Sequence, residues 1–109
     1  MTVVASKGVI ATLQTAVTTG TGTAVVLPIS AHNPRIHMCA VGVITGGTVV
    51  LEEARDPNYT GTWSILYTYT PATDSELVIH INGTLGALRT RVTSNIIGGG
   101  VITAELVSD

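Results

Sequence analysis

Along this chain apolar residues either alternate with small polar ones or fall in short unbroken runs, and no window holds helical spacing through three turns. From Val9 to Thr18 the positions Val9, Ala11, Leu13, Thr15 and Val17 share one face, with Ile10, Thr12, Gln14 and Ala16 on the other. That is the two-residue period of a strand. After the loop Thr19-Gly20-Thr21-Gly22, Ala24 to Ile29 forms a second strand, and Pro28 suits a strand end or a sheet edge. Met38 to Ile44 is a run of small and β-branched residues, as in a strand buried on both faces. Gly46-Gly47 can supply the positive φ angles of a tight turn. The pattern therefore predicts a hairpin of Arg35–Ile44 with Thr48–Ala54.

The next element is Thr62 to Tyr69, with Trp63, Ile65 and Tyr67 on one face and Tyr69 sharing it. Pro71 to Ser75 interrupts the pattern. Glu76 to Asn82 follows, with Leu77, Ile79 and Ile81 inward. Leu88, Thr90 and Val92 alternate with Arg89, Arg91 and Thr93, so both arginines project from one face. Gly98-Gly99-Gly100 turns the chain into a closing strand, Val101 to Val107. These readings add up to an all-β fold: a single antiparallel β-sandwich, jelly-roll-like, of about eight short strands over residues 9–109. Residues 1–8 are read as a flexible N-terminal arm. Trp63, the only tryptophan, is the expected core anchor.

Composition sharpens this picture in one respect. Charged residues make up 11% of the 109, against roughly 25% in an ordinary soluble domain. Phe is absent, so the core must be built from Val, Ile, Leu and Ala. A surface this poor in charge fits one that is partly covered by other chains, though Thr, Ser, Asn and Gly could also supply a polar skin without charge. Net charge is −2 and the five basic residues are scattered, which gives no footprint for nucleic acid or acidic lipid. No apolar run approaches the ~20 residues of a membrane-spanning helix, and no export signal is visible; a soluble product is expected. Cys39 lies within an apolar run and reads as a small buried hydrophobe.

Residues with chemical potential are few and do not converge. His32, His37 and His80 have no partner at ligand spacing, so no metal is expected. Glu52 and Glu53 are adjacent and point to opposite faces of a strand, where they read as solvated edge charges. No glycine-rich stretch leads into a helix, which removes the usual phosphate cradle. Asn58-Tyr-Thr60 and Asn82-Gly-Thr84 match the glycosylation pattern, discounted without a secretion signal. Tyr59, Trp63, Tyr67 and Tyr69 could form a sugar-binding platform, but nothing groups them with convergent polar residues. No catalytic residue and no cofactor are expected, and the chain does not read as an enzyme. Arg89 and Arg91 are the charged pair of most interest. They either clamp carboxylates of a neighbouring chain, such as Glu52 or Glu53, or stand in solvent to block edge pairing. Arg89, Arg91, Glu52 and Glu53 are thus the candidate inter-subunit contacts.

Several stretches together resemble the small β-sandwich virion proteins of tailed bacteriophages, chiefly capsid decoration (cement) proteins. They are Gly20-Thr-Gly-Thr-Ala-Val, then Ile44-Thr-Gly-Gly-Thr-Val-Val-Leu-Glu-Glu-Ala with Asp56 and Gly61-Thr-Trp63, then Leu88-Arg-Thr-Arg-Val92 and the Gly98-Gly-Gly-Val-Ile-Thr-Ala-Glu-Leu ending. Ala54 stands where such proteins usually carry Ser, and Arg55 to Tyr59 replaces a shorter acidic-Gly turn. The resemblance implies a non-enzymatic structural protein that associates with itself, commonly as a homotrimer. It also implies attachment to a lattice of major capsid protein in a virion assembled in the bacterial host cytoplasm; it favours the capsid exterior without giving the lattice position or excluding a tail location. Charge and hydropathy point to neither nucleic acid nor membrane as a partner. The alternative is a carbohydrate- or receptor-binding module of a phage tail or adhesin.

Overall fold

The computed structural model describes residues 8–27, 32–82 and 86–109. Seven strands run through them: β1 Gly8–Val17, β2 Arg35–Val41, β3 Gly46–Ala54, β4 Ser64–Tyr69, β5 Glu76–His80, β6 Ala87–Ile97 and β7 Val101–Ser108. They form two antiparallel sheets, a first of order β1-β7-β2-β5 and a second of order β4-β3-β6. The fold is all-β, a sandwich of about seven strands, with no helix among the described residues. The predicted arm falls on residues 1–7, outside the described residues, and on Gly8, which opens β1.

Between the sheets lie Leu13, Ile36, Met38, Ile102, Ala104 and Leu106 from the first, and Val49, Leu51, Tyr69, Leu88 and Ile96 from the second. These are the inward positions of alternating strands, and burying them is the main force holding the layers together. One polar tie crosses the core. The Thr90 hydroxyl on β6 donates to Gln14 Oε1 on β1 at 2.8 Å, and Gln14 Nε2 donates to the Gly20 carbonyl at 3.1 Å. Leu13 and Gln14 are both buried because β1 slips register three times against β7. Those slips break the alternation read from the sequence and leave Val9 and Thr15 exposed.

The predicted hairpin over Gly46-Gly47 does not form. β2 pairs with β5 and β7, and β3 with β4 and β6, so the two strands lie in different sheets. The strand ends early, at Val41, and Val41 and Val43 stand exposed where burial on both faces was expected. Gly42, at φ 89°, turns the chain out of the first sheet, and Gly46 and Gly47 begin β3 instead of forming a turn. Gly47 is needed for close approach: a Cβ there would lie 2.8 Å from the Ile96 Cα. The hairpin comes one strand later, β3 with β4 across the loop Arg55–Trp63. A second crossing, β6 to β7 through Gly98-Gly99-Gly100, lies beside the first. Thr45 N–H donates to the Ile97 carbonyl at 2.8 Å and Gly100 N–H to the Val43 carbonyl at 2.7 Å, so the two crossings lock to each other.

The expected strand Ala24–Ile29 is not regular. Its described part runs beside β6 as an irregular lane, with bridges Thr21 to Arg91 and Val25 to Leu88; Pro28 and Ile29 lie outside the described residues. Thr23 N–H also donates to the Leu13 carbonyl at 2.9 Å. One flank of the sandwich is thereby closed by backbone from β1 through this lane to β6. Among the described residues the opposite flank has no such closure. β4 and β5 are both edge strands there, and Leu66, Ile79, His80, Ile81 and Asn82 line a cleft of about 270 Å³.

Candidate functional site

Three of the residues singled out from the sequence, Glu52, Arg89 and Arg91, meet on the outer face of the second sheet. Antiparallel register places Glu52 opposite Arg89 and Val50 opposite Arg91, so all four side chains share that face. Glu52 is 1% exposed. Its Oε1 accepts from Arg89 Nε at 2.7 Å and Arg91 Nε at 3.1 Å, and its Oε2 from Arg91 Nη2 at 3.1 Å. Burial by itself would push this carboxyl up. The hydrogen bonds from Arg91 and Arg89, followed by their charges, outweigh burial and hold it below its ordinary value. Glu52 is therefore no solvated edge charge, and the carboxylate that the arginines clamp belongs to their own chain. Glu53 points to the other face, is half-buried, and stays out of the cluster.

Trp63 completes this cluster from outside the inter-sheet core. β4 slips register between its pairings to Leu51 and Glu52. The slip leaves Ile65 on the face of Glu52 and moves Tyr67 and Tyr69 to the inward face, so the single shared face read from the sequence is split. Trp63 is 5% exposed and sits under the Arg89 guanidinium, 4.1 Å from its carbon to the ring centroid. Its Nε1 donates to the Tyr59 carbonyl at 3.0 Å. Trp63 is buried as expected, but as a platform for an arginine. Tyr69 is the largest fully buried side chain.

The loop before Trp63 is held by its own turn chemistry. Asp56 Oδ1 accepts from the Asn58 N–H at 2.9 Å, the bond by which an Asp side chain sets a turn two residues on. The Arg55 guanidinium lies 5.4 Å from the Tyr59 ring centroid. Beside the loop, Glu53, Ala54, Arg55, Tyr59, Thr62 and Ser64 line an open depression of about 310 Å³. It brings together one carboxylate and one exposed arginine with hydroxyl groups. The aromatic side chains do not form a common platform: Trp63 and Tyr69 are buried, Tyr59 is half-buried, and Tyr67 is exposed.

The outer face of the first sheet has a different character. Register aligns His37 with Glu105 and Val78, and Cys39 with Thr103 and Glu76. His37 Nε2 lies 2.9 Å from Glu76 Oε2. Cys39 is on this face and half-buried, not in the inter-sheet core; burial first, then Glu105 and Glu76, push its thiol up. At one end of the face Arg35 Nη2 donates to Asp109 Oδ1 at 3.1 Å. Among the described residues no group of three or more His, Cys, Asp or Glu side chains could hold a metal ion. Nor, among the described residues, is any helix long and apolar enough to cross a membrane.

Comparison with known protein families, with curated proteins and with solved structures finds no match for this chain. The sequence pointed to Arg89, Arg91 and Glu52 as charges able to meet. It carried no signal for the slip in β4 that brings Trp63 to them, nor for the open flank.

Proposed function

We propose that this protein is a non-enzymatic structural component of a bacteriophage virion, of the capsid decoration type, which associates with itself and stabilises a lattice of major capsid protein. The observation that carries the reading is the open flank. Each sheet ends there in an edge strand, β4 in one and β5 in the other, and these strands carry Ile65, Leu66, Tyr67 and Val78 at 42–56% exposure. β4 carries no charge, and an exposed apolar edge strand of this kind is a place where monomers stick to one another unless a neighbour covers it. The small share of charged residues and the sequence resemblance to cement proteins favour the same reading. Repeated weak contacts suffice in such a setting, because simultaneous attachment at many lattice points raises effective affinity.

The expected assembly is a homo-oligomer, with a trimer favoured, seated on the capsid exterior. Sedimentation of purified protein mixed with expanded capsids tests this: stoichiometric co-sedimentation supports it. A protein that remains monomeric at high concentration and stays in the supernatant refutes it. A carbohydrate-binding module is the second reading, with exposed Tyr67 beside the cleft at the open flank as the observation in its favour. Glycan-dependent quenching of tyrosine emission would support that reading instead.

A further inference from the structure

The two outer faces of the sandwich carry opposite charge. On the first sheet Glu76 and Glu105 stand on neighbouring rows, with Arg35 on the same face already paired to Asp109. His37 lies between the carboxylates and contacts Glu76. Setting the imidazoles of His37 and His80 aside, the face carries two carboxylates in excess. On the second sheet Arg89 and Arg91 face a single carboxylate, Glu52, which leaves one positive charge in excess.

The arginines are also under-used as donors. Each guanidinium has five N–H groups, yet among the described residues the pair makes three hydrogen bonds, all to Glu52. Their side chains are 24% and 37% exposed, so the remaining donors face outward. Glu52 and Trp63 hold both in place, which lowers the ordering cost of receiving a second carboxylate. Apolar residues accompany the charges on both faces: Val9 and Val78 on the first sheet, Ile65 on the second.

We propose that the outer face of the first sheet of one copy seats on the outer face of the second sheet of another, Glu76 and Glu105 of the first meeting Arg89 and Arg91 of the second. This deepens the self-association proposed above and rests on that reading. The contact joins two different surfaces, so it is heterologous: it closes into a ring such as a trimer, or runs on as a filament. It is also steered by charge and weakened by salt.

Sedimentation velocity on the full chain tests the proposal, comparing wild type with Glu76→Lys/Glu105→Lys and with the near-isosteric Glu76→Gln/Glu105→Gln. The expected result is an oligomer of wild type at 50 mM salt whose association weakens roughly tenfold or more at 500 mM. The Lys variant is expected to be monomeric and the Gln variant intermediate, both with unchanged Trp63 emission. The Lys variant keeps its second-sheet face, so adding it to wild type should cap the oligomers and shrink them. Oligomers that ignore both variants and salt overturn the face-to-face contact while leaving self-assembly standing, through the open flank. A monomeric wild type overturns both. Capsid binding lost in the Lys variant of a monomeric protein would assign the acidic face to the capsid instead.

Discussion

Arg91 holds Glu52 with two parallel hydrogen bonds, Nε to Oε1 and Nη2 to Oε2, each at 3.1 Å. A fork-to-carboxylate pair of this geometry, with one partner fully buried, is sensitive to loss of either charge. Glu52→Gln should therefore destabilise the fold by about 2–4 kcal/mol, because two guanidiniums then face a neutral amide. Urea unfolding at neutral pH measures this.

The same site fixes the direction of the acid response. The folded protein holds the Glu52 carboxyl below its ordinary value of 4.5. Its contribution is thus fully present above that value and is lost as pH falls through the lower, folded one. In Glu52→Gln this part of the acid sensitivity should vanish. Melting temperatures recorded from pH 7 down to 3 should show a shallower decline than in wild type.

Thr90 and Gln14 make a polar bridge across the core. Thr90→Val is expected to cost about 1–3 kcal/mol, since Gln14 Oε1 keeps its burial and loses its donor. Pairing it with Gln14→Leu should recover part of that loss. A double-mutant cycle by chemical denaturation reads the coupling, and strictly additive losses would contradict the bridge.

Tyr69 is 1% exposed and its hydroxyl has no hydrogen-bond partner among the described residues. Removing that oxygen in Tyr69→Phe should leave stability unchanged or raise it by about 1 kcal/mol. Burial, with smaller contributions from Cys39, Asp74 and Glu76, pushes the phenol up to about 12 from 10.0. The unfolded chain thus releases this proton first, so the contribution is intact below pH 10.0 and drains away towards about 12. Wild type should lose stability over that alkaline window more steeply than Tyr69→Phe.

Gly98 sits at φ 114° against the neighbouring crossing, where a Cβ would lie 2.8 Å from both the Val43 oxygen and the Thr45 nitrogen. Gly98→Ala should destabilise the protein through backbone strain and by prising the two crossings apart, whereas Gly99→Ala meets no nearby atom and should pay only the φ penalty. Thermal melts of the two variants, ranked with Gly98→Ala lower, check this.

Much of the fold could be read from period-two alternation, because inward residues such as Ile36, Met38, Leu77 and Ile79 are chosen by burial. What misled was pairing. Gly46-Gly47 has the chemistry of a hairpin turn, yet those glycines serve a close approach to Ile96, which no local pattern announces. Register slips are invisible for the same reason. The slip in β4 carries Trp63 to the arginine face, and those in β1 bury Gln14 beside Leu13. Arg89 and Arg91 were legible as a pair on one face; that their carboxylate would be Glu52 of the same chain depended on β3 and β6 being neighbours, a long-range fact.

β7 is the last strand along the chain and also lies inside its sheet, hydrogen-bonded to β1 on one side and β2 on the other. A nascent polypeptide ending anywhere before Val101 therefore has two strands awaiting the same missing neighbour and cannot lock the first sheet. Maturation must wait for synthesis to pass Ser108, and the long loops closed at that moment slow folding. Until then Ile36, Met38 and Leu13 lie open to other molecules, so expression at lower temperature or with chaperone support should favour recovery of intact protein.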